Sequence, residues 1–347
     1  MSGLVSDDLK AWVKRYMPGA ISGAELNLNP VSGDAGFREY FRINSIPPLV
    51  VAHAPPAHEN NEGFVAISLN LAAAGVHTPR IYAVDYQAGY ILQEDLGDRL
   101  YQRRLNDQTV SRLYAKAENV LLRMQLARPD EAIYPSYDAS RLRAEMLLFP
   151  RWFVEQLLGR RLADSETAML DELFTFLITL ALEQPRVVVH RDFHSRNLFD
   201  LPGDDVGVID FQDAVIGPCT YDLVSLLRDC YVRWPESLVR ERVSNYYHQA
   251  RTVGVLNADI DEQRFQRWFD LMGLQRHIKV LGIFARLYLR DGKSGYLNDL
   301  PLVLRYALEV ARRHDETARF YDWFAAVLEP LLPEQAWYRD WRTAGEA

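Results

Sequence analysis

Residues 187–213 read VVVHRDFHSRNLFDLPGDDVGVIDFQD, and this stretch decides the fold. Val187, Val188 and Val189 are β-branched and have strand chemistry. His190-Arg191-Asp192 follows, with Asn197 five residues beyond the aspartate. Leu201-Pro202-Gly203-Asp204-Asp205 is a dense turn signal. Val206 to Ile209 are apolar again, and Asp210 closes the unit. If residues 198–200 and 206–209 pair as a hairpin, Asn197 and Asp210 share its open end. Asp192 then sits on the entering loop, so that one amide and two carboxylates surround a common point.

Such a trio suits a hydroxyl attacking the γ-phosphate of a magnesium nucleotide. Magnesium prefers a few hard oxygen ligands alongside phosphate oxygens, which Asn197 and Asp210 supply. Asp192 accepts the hydroxyl proton and holds the nucleophile in line. With an ordinary pKa of about 4 it cannot ionise an alcohol beforehand. It therefore orients first and accepts late, which a loose phosphoryl transition state allows. His190 reads as a structural histidine bonded to the loop backbone.

This pattern resembles the HxDxxxxN and DFG-type signatures of the protein-kinase-like fold. Its forms, His190-x-Asp192 and Ile209-Asp210-Phe211, look more like aminoglycoside and choline phosphotransferases than protein kinases. The resemblance implies an α+β, bilobal fold, with a small β-rich lobe over residues 1–98 and a mainly helical lobe over 99–347. It also implies ATP and Mg2+ as cofactors, Asp192 as the catalytic base, and Asn197 and Asp210 as metal ligands. The run ending IGPCTYDLVSLLRDCYVRWPE and the stretch LMGLQRHIKVLGIFARLYLRDGK (271–293) are similar to the anomeric amino-sugar kinases of Gram-negative cell-wall recycling. Those enzymes phosphorylate the C1 hydroxyl of N-acetylmuramate or N-acetylglucosamine with ATP. SGDAGFREYF and AAAGVHTPRI agree with that branch, so the resemblance covers most of the chain.

The N-terminal third reads as a capped helix from Ser6, then strands from Leu26 to Val51. Ser32-Gly33-x-x-Gly36 resembles a glycine-rich loop whose backbone N–H groups approach phosphates, with Arg38 as a charge partner; a plain hairpin turn is the alternative. Leu49 to His53 is the third strand, where the protein-kinase pattern carries a phosphate-binding lysine. Ala52 or His53 stands there instead, and no lysine lies between Arg38 and Arg80. The following helix, residues 62–74, has Phe64 near where a partner glutamate is expected, with Glu59 and Glu62 upstream. Phosphate positioning then falls to backbone, Arg38, His53 or magnesium. Glu94 to Asp98 resembles the hinge joining the lobes, where backbone groups of Glu94 and Leu96 would hold adenine; an acidic turn is the alternative.

Beyond residue 107 the periodicity is helical over 107–127, 138–158, 165–182, 235–253, 262–289, 302–313 and 316–331. Ile216-Gly217-Pro218 reads as a turn, Thr220 as the cap of the next helix, and Asp222 as a structural acid at that helix N-terminus. Arg276, Lys279, Arg286 and Arg290 lie on one predicted helix. Lys279, Arg286 and Arg290 share roughly one face, able to hold a lactyl carboxylate, or simply a solvated basic face. His194, Asp213 and Asp229 are placed to meet sugar hydroxyls, or to hydrogen-bond in the core.

The chain has 347 residues, enough for two lobes, and its net charge of −8 argues against a nucleic-acid partner. MSGLVSDDLK lacks the basic and apolar regions of a signal peptide, and no apolar run is long enough to span a bilayer. Two cysteines without CxxC spacing fit free thiols in a reducing cytoplasm. The expected partners are an amino sugar and ATP, on a monomer. Two further readings stand beside this one: a kinase of an aminoglycoside, choline-like or homoserine-like hydroxyl, and a kinase-fold binding module that has lost catalysis.

Overall fold

The computed structural model describes residues 6–23, 25–31 and 37–346. Two compact units divide the chain: Met1–Ala127 with Arg196–Asp213, and Arg128–Ser195 with Ala214–Ala347. The first unit extends past residue 98 and takes in the hairpin of the deciding stretch.

The first unit opens on α1 (Asp7–Tyr16), whose cap Ser6 accepts the amide hydrogen of Leu9. Its five-stranded antiparallel sheet holds β1 (Leu28–Val31), β2 (Glu39–Ile43), β3 (Leu49–His53), β4 (Ile81–Asp85) and β5 (Tyr90–Glu94), ordered β1-β2-β3-β5-β4. In β2, Phe41 and Ile43 alternate inward, as a half-buried strand requires. β3 is central, and Leu49 to Ala52 are all buried. Leu9 and Val13 of α1 join Phe41, Ile43, Leu49, Val51 and Leu92 in one apolar cluster. α2 (Asn61–Ala73) and α3 (Val110–Leu126) complete the helices longer than one turn.

The hairpin forms as expected: Leu198–Asp200 runs antiparallel to Val206–Val208, with Val208 opposite Leu198. Leu96 packs over Gly207: a Cβ there would come within 2.7 Å of Leu96 Cδ1, so that side chain would have to shift. Residues 201–205 supply the turn, and Gly203 adopts φ +72°.

The second unit is mainly helical: α4 (Ala139–Met146), α5 (Asp164–Leu182), α6 (Tyr221–Leu227), α7 (Glu236–Thr252), α8 (Glu262–Asp291), α9 (Leu300–Arg313) and α10 (Asp315–Trp323). The fold class is thus α+β. α8 is the centre of the unit, buried almost throughout from Phe265 to Ala285.

Four local expectations are corrected. The helix expected over 138–158 breaks after Met146 into a π-helix, Phe149–Leu157, because Pro150 has no N–H to continue the α ladder. The helix expected over 316–331 is α only as far as Trp323 and runs on as a π-helix, Phe324–Leu328, and a 3-10 helix, Glu329–Glu334. Residues 216–218 are no turn: Val215–Pro218 pairs with Arg186–Val189, and a Cβ at 217 would sit a tight 3.2 Å from Tyr137. Thr220 sits at the start of α6, but its hydroxyl donates to Gln184 Oε1 at 2.7 Å instead of capping the helix.

Candidate active site

The residues singled out in the sequence fall on both units, and each half has its own geometry. In the first unit, Ile209 donates its amide hydrogen to Asn197 O at 3.1 Å, extending the hairpin by one rung. That rung brings Asn197 Nδ2 to 3.3 Å from Asp210 Oδ2, so the two proposed metal ligands do share the open end. Asp210 has φ +65°, a left-handed conformation that costs a non-glycine residue energy and turns its side chain out of the strand direction. Gln212 Nε2 donates to Asp210 Oδ1 at 2.7 Å, and Gln212 Oε1 is buried with no hydrogen-bond partner. Hard oxygens from one carboxylate and two amides fit Mg2+, which keeps water and phosphate ligands instead of an all-protein cage. Among the described residues no cluster of three or more His, Cys, Asp or Glu would hold a softer metal.

Phe211 stacks on Phe64 of α2 with centroids 4.9 Å apart. The other neighbour of Phe64 is Arg38, whose guanidinium carbon lies 4.4 Å from the ring centroid. Arg38 Nη2 donates to Glu59 Oε2 at 3.0 Å, and only 6% of the Arg38 side chain is exposed. Burial lifts the Tyr40 phenol above its ordinary value and Arg38 pulls it back, while the charges of Asp210 and Glu59 push it up. Arg38, Glu59, Phe64, Tyr40 and Asp210 thus form one neighbourhood. His53 lies apart from this pair: it is half-exposed, with Nδ1 3.8 Å from Glu39. Ser32, Gly33 and Gly36 lie outside the described residues.

Residues 94–98 are fastened at several points. Arg42 bonds Asp95 and Asp98 at 3.0 Å each, and His77 bonds Glu94 at 3.0 Å and Asp205 at 2.6 Å. The Glu94 carboxylate is therefore engaged internally, and Leu96 packs its side chain where Gly207 lacks one. Asp213 is exposed.

In the second unit, the loop that carries Asp192 is built on backbone hydrogen bonds to buried carboxylates. Asp222 accepts the amide hydrogens of His190 at 2.6 Å and Arg191 at 2.9 Å. Burial pushes Asp222 up to about 6 despite these donors. His190 is fully buried, and its Nδ1 faces the amide of Asp192 at 3.3 Å. Arg191 adopts φ +76°, turning the chain sharply just before Asp192. Asp229, fully buried, accepts from Ser195 N and Tyr231 N at 3.0 Å each, which is the core-bonding alternative for that residue.

Burial alone would raise Asp192, but the positive charges of Lys279, Arg276 and Arg191 outweigh it and hold its carboxyl below the ordinary range. His194, beside it, is pushed below the usual histidine value by burial and is neutral near pH 7. Its Nδ1 is buried without a hydrogen-bond partner.

The solvated basic face is overturned. Arg276 and Lys279 are 3% and 5% exposed, because α8 runs through the middle of the unit. Arg286 is half-buried and Arg290 is exposed beside Asp291, so the four cations do not share one environment. Sequence reasoning missed Glu145, Tyr137 and Tyr221 around this cluster. Glu145 left a faint signal: three residues after buried Leu142, it lies towards the apolar stripe of α4.

Residues 27–256 match the Phosphotransferase enzyme family, and the chain belongs to that family. It is 42% identical over 303 residues to the N-acetylmuramate/N-acetylglucosamine kinase of Pseudomonas putida, covering 87% of this chain and 88% of that one. It is 40% identical over 338 residues to the protein of the same name from Pseudomonas aeruginosa, with 93% and 98% covered. The crystal structure of choline kinase from Cryptosporidium parvum superposes with a TM-score of 0.62 at 11% identity, over 92% of this chain and 99% of that one. The fold is therefore kinase-like. Among the described residues no helix is long and apolar enough to cross a membrane.

Proposed function

We propose that this chain is an ATP-dependent kinase of N-acetylmuramate and N-acetylglucosamine that phosphorylates their anomeric C1 hydroxyl. One observation carries the reading: the Asp192, Asn197 and Asp210 set is intact in a chain 40% identical, over 93% of its length, to a kinase named for these two sugars.

Asp192 orients the sugar hydroxyl and takes its proton late, and the cations around it keep it ionised for that task. Asn197 and Asp210 hold Mg2+, which supplies charge neutralisation on the phosphate oxygens. Arg38 takes the phosphate-positioning role, because it sits in the neighbourhood of Asp210 whereas His53 faces Glu39. Ser32, Gly33 and Gly36 approach the phosphates through backbone N–H groups, and the backbone of Glu94 and Leu96 receives adenine. His194, with an unpartnered ring nitrogen beside Asp192, contacts a sugar hydroxyl, and exposed Asp213 is a second candidate. We assign Asp229 to holding the loop. The enzyme acts as a cytoplasmic monomer.

The test is a panel of N-acetylmuramate, N-acetylglucosamine and a kanamycin-type aminoglycoside with Mg2+-ATP, the product position being read by phosphorus NMR. Phosphate on C1 of either sugar supports the reading; transfer to the aminoglycoside alone would replace it. Asp192→Ala should remove transfer by roughly a thousandfold or more while calorimetric ATP affinity stays within about twofold. Parental turnover in that variant would end the assignment of the base.

A further inference from the structure

Two cations of α8, Arg276 and Lys279, stand one helical turn apart and face the same loop, yet their surroundings differ. Lys279 Nζ donates to the Tyr221 hydroxyl at 2.9 Å and lies 3.2 Å from Glu145 Oε2. The other oxygen of Glu145 pairs with the Arg191 guanidinium, and the Tyr137 hydroxyl also donates to this carboxylate. Glu145 is thus shared between Lys279 and the residue that turns the chain into Asp192. A ligand carboxylate that drew Lys279 away would leave Glu145 without one of its two buried counter-ions, which is strongly unfavourable.

Arg276 has no such partner. Its one hydrogen bond runs from Nη1 to Cys230 Sγ at 3.3 Å, and no carboxylate of the described residues lies within ion-pair distance. A thiol is a weak acceptor. Burial holds Cys230 in its neutral form and so opposes a thiolate that would match the guanidinium. A guanidinium 3% exposed with only a thiol to bond feels the charge of Asp192 but has no carboxylate bonded to it, and its planar fork is suited to one.

We propose that the two cations divide the work: Arg276 receives the carboxylate that distinguishes N-acetylmuramate from N-acetylglucosamine, and Lys279, braced by Glu145, positions the Asp192 loop for either sugar. This rests on the sugar-kinase reading above. Arg276 then determines specificity, whereas Lys279 and Glu145 are positioning residues that never touch the acid.

The experiment measures kcat and KM of both sugars for Arg276→Met, Lys279→Met, Lys279→Arg and Glu145→Gln. For Arg276→Met, KM of N-acetylmuramate should rise roughly tenfold to a hundredfold, the worth of a charge-assisted hydrogen bond, with KM of N-acetylglucosamine changed less than about threefold, while any fall in kcat from removing a cation near Asp192 is shared by both sugars. For Lys279→Met and Glu145→Gln, kcat should fall on both sugars by the same factor with KM kept, and Lys279→Arg should recover part of it. The ratio of kcat/KM between the two sugars does not depend on how much enzyme is folded, so a poorly folding variant still reports. A selective loss of N-acetylmuramate in Lys279→Met, or an unchanged kcat/KM ratio between the two sugars in Arg276→Met, would overturn the division. A wild-type chain that phosphorylates neither sugar would instead end the kinase reading itself.

Discussion

Arg38 and Glu59 form an ion pair at 3.0 Å, and the Arg38 guanidinium carbon lies over the Phe64 ring, 4.4 Å from its centroid. An exposed pair of this kind would be worth little. Here the arginine side chain is almost wholly covered, so its geometry is fixed before any ligand arrives. A cation and a carboxylate therefore coexist next to Asp210 although β3 carries no lysine and α2 offers Phe64 where a glutamate was expected.

If this arginine positions the phosphates, Arg38→Ala should lower kcat/KM for ATP by about a hundredfold, most of it regained in Arg38→Lys. His53→Ala, away from the pair, should stay within about threefold of the parent. Steady-state kinetics with varied Mg2+-ATP distinguish the two, and equal losses would remove Arg38 from the role.

Asp222 gives a stability signature. Its folded pKa of about 6 exceeds the ordinary carboxyl value, so between pH 4 and 6 the folded state binds more protons than the unfolded one. The contribution is present below the unfolded value and is lost as pH rises through the folded one, by about 3 kcal/mol in all. Asp222→Asn loses that dependence and also leaves one loop N–H short of an acceptor. The parent's advantage over the variant in urea unfolding should be largest near pH 4 and shrink towards pH 7. A constant difference across that range would refute the raised value.

His77 has the opposite charge and a different window. Burial lowers its pKa, yet the bonds to Asp205 and Glu94 prevail and lift it above the histidine norm. The protonated clamp contributes fully below about pH 6.5 and fades as pH rises through the higher folded value. His77→Gln should therefore cost more stability at pH 6 than at pH 8.5, as read from denaturation midpoints.

Gly282 lies in the middle of α8, where alanine would normally favour the helix by about 1 kcal/mol. A Cβ there would meet Leu148 C at 2.3 Å and Phe149 N at 2.5 Å, both backbone atoms that cannot rotate away. Overpacking costs about 1–3 kcal/mol or more, so Gly282→Ala should lower Tm despite its better propensity. An unchanged or higher Tm would mean that the segment after α4 shifts freely.

The hairpin was legible because each part of its signal is local. Turn residues at 201–205, apolar runs on either side and polar residues at the ends suffice to bring Asn197 beside Asp210. The helices were legible for the same reason, through their periodicity. One misreading was local, since Pro150 interrupts a helix whose periodicity runs on, and the two at 216–220 came where a distant neighbour overrides local preference. Gly217 and Pro218 look like a turn until Arg186–Val189 pairs with them, and Thr220 looks like a cap until Gln184 takes its hydroxyl.

By itself the sequence determined the α+β class, the order of the elements and the identity of the groups suited to phosphoryl transfer, since all of these follow from spacing and side-chain chemistry along the chain. Only the tertiary structure decided the electrical state of those groups. Whether Lys279 is solvated or matched to Glu145, whether Arg38 is free or paired with Glu59, and whether Asp222 braces the loop all depend on residues tens of positions away. Charge in a protein interior is governed by burial and by what lies within a few ångströms, and neither quantity is written in local order.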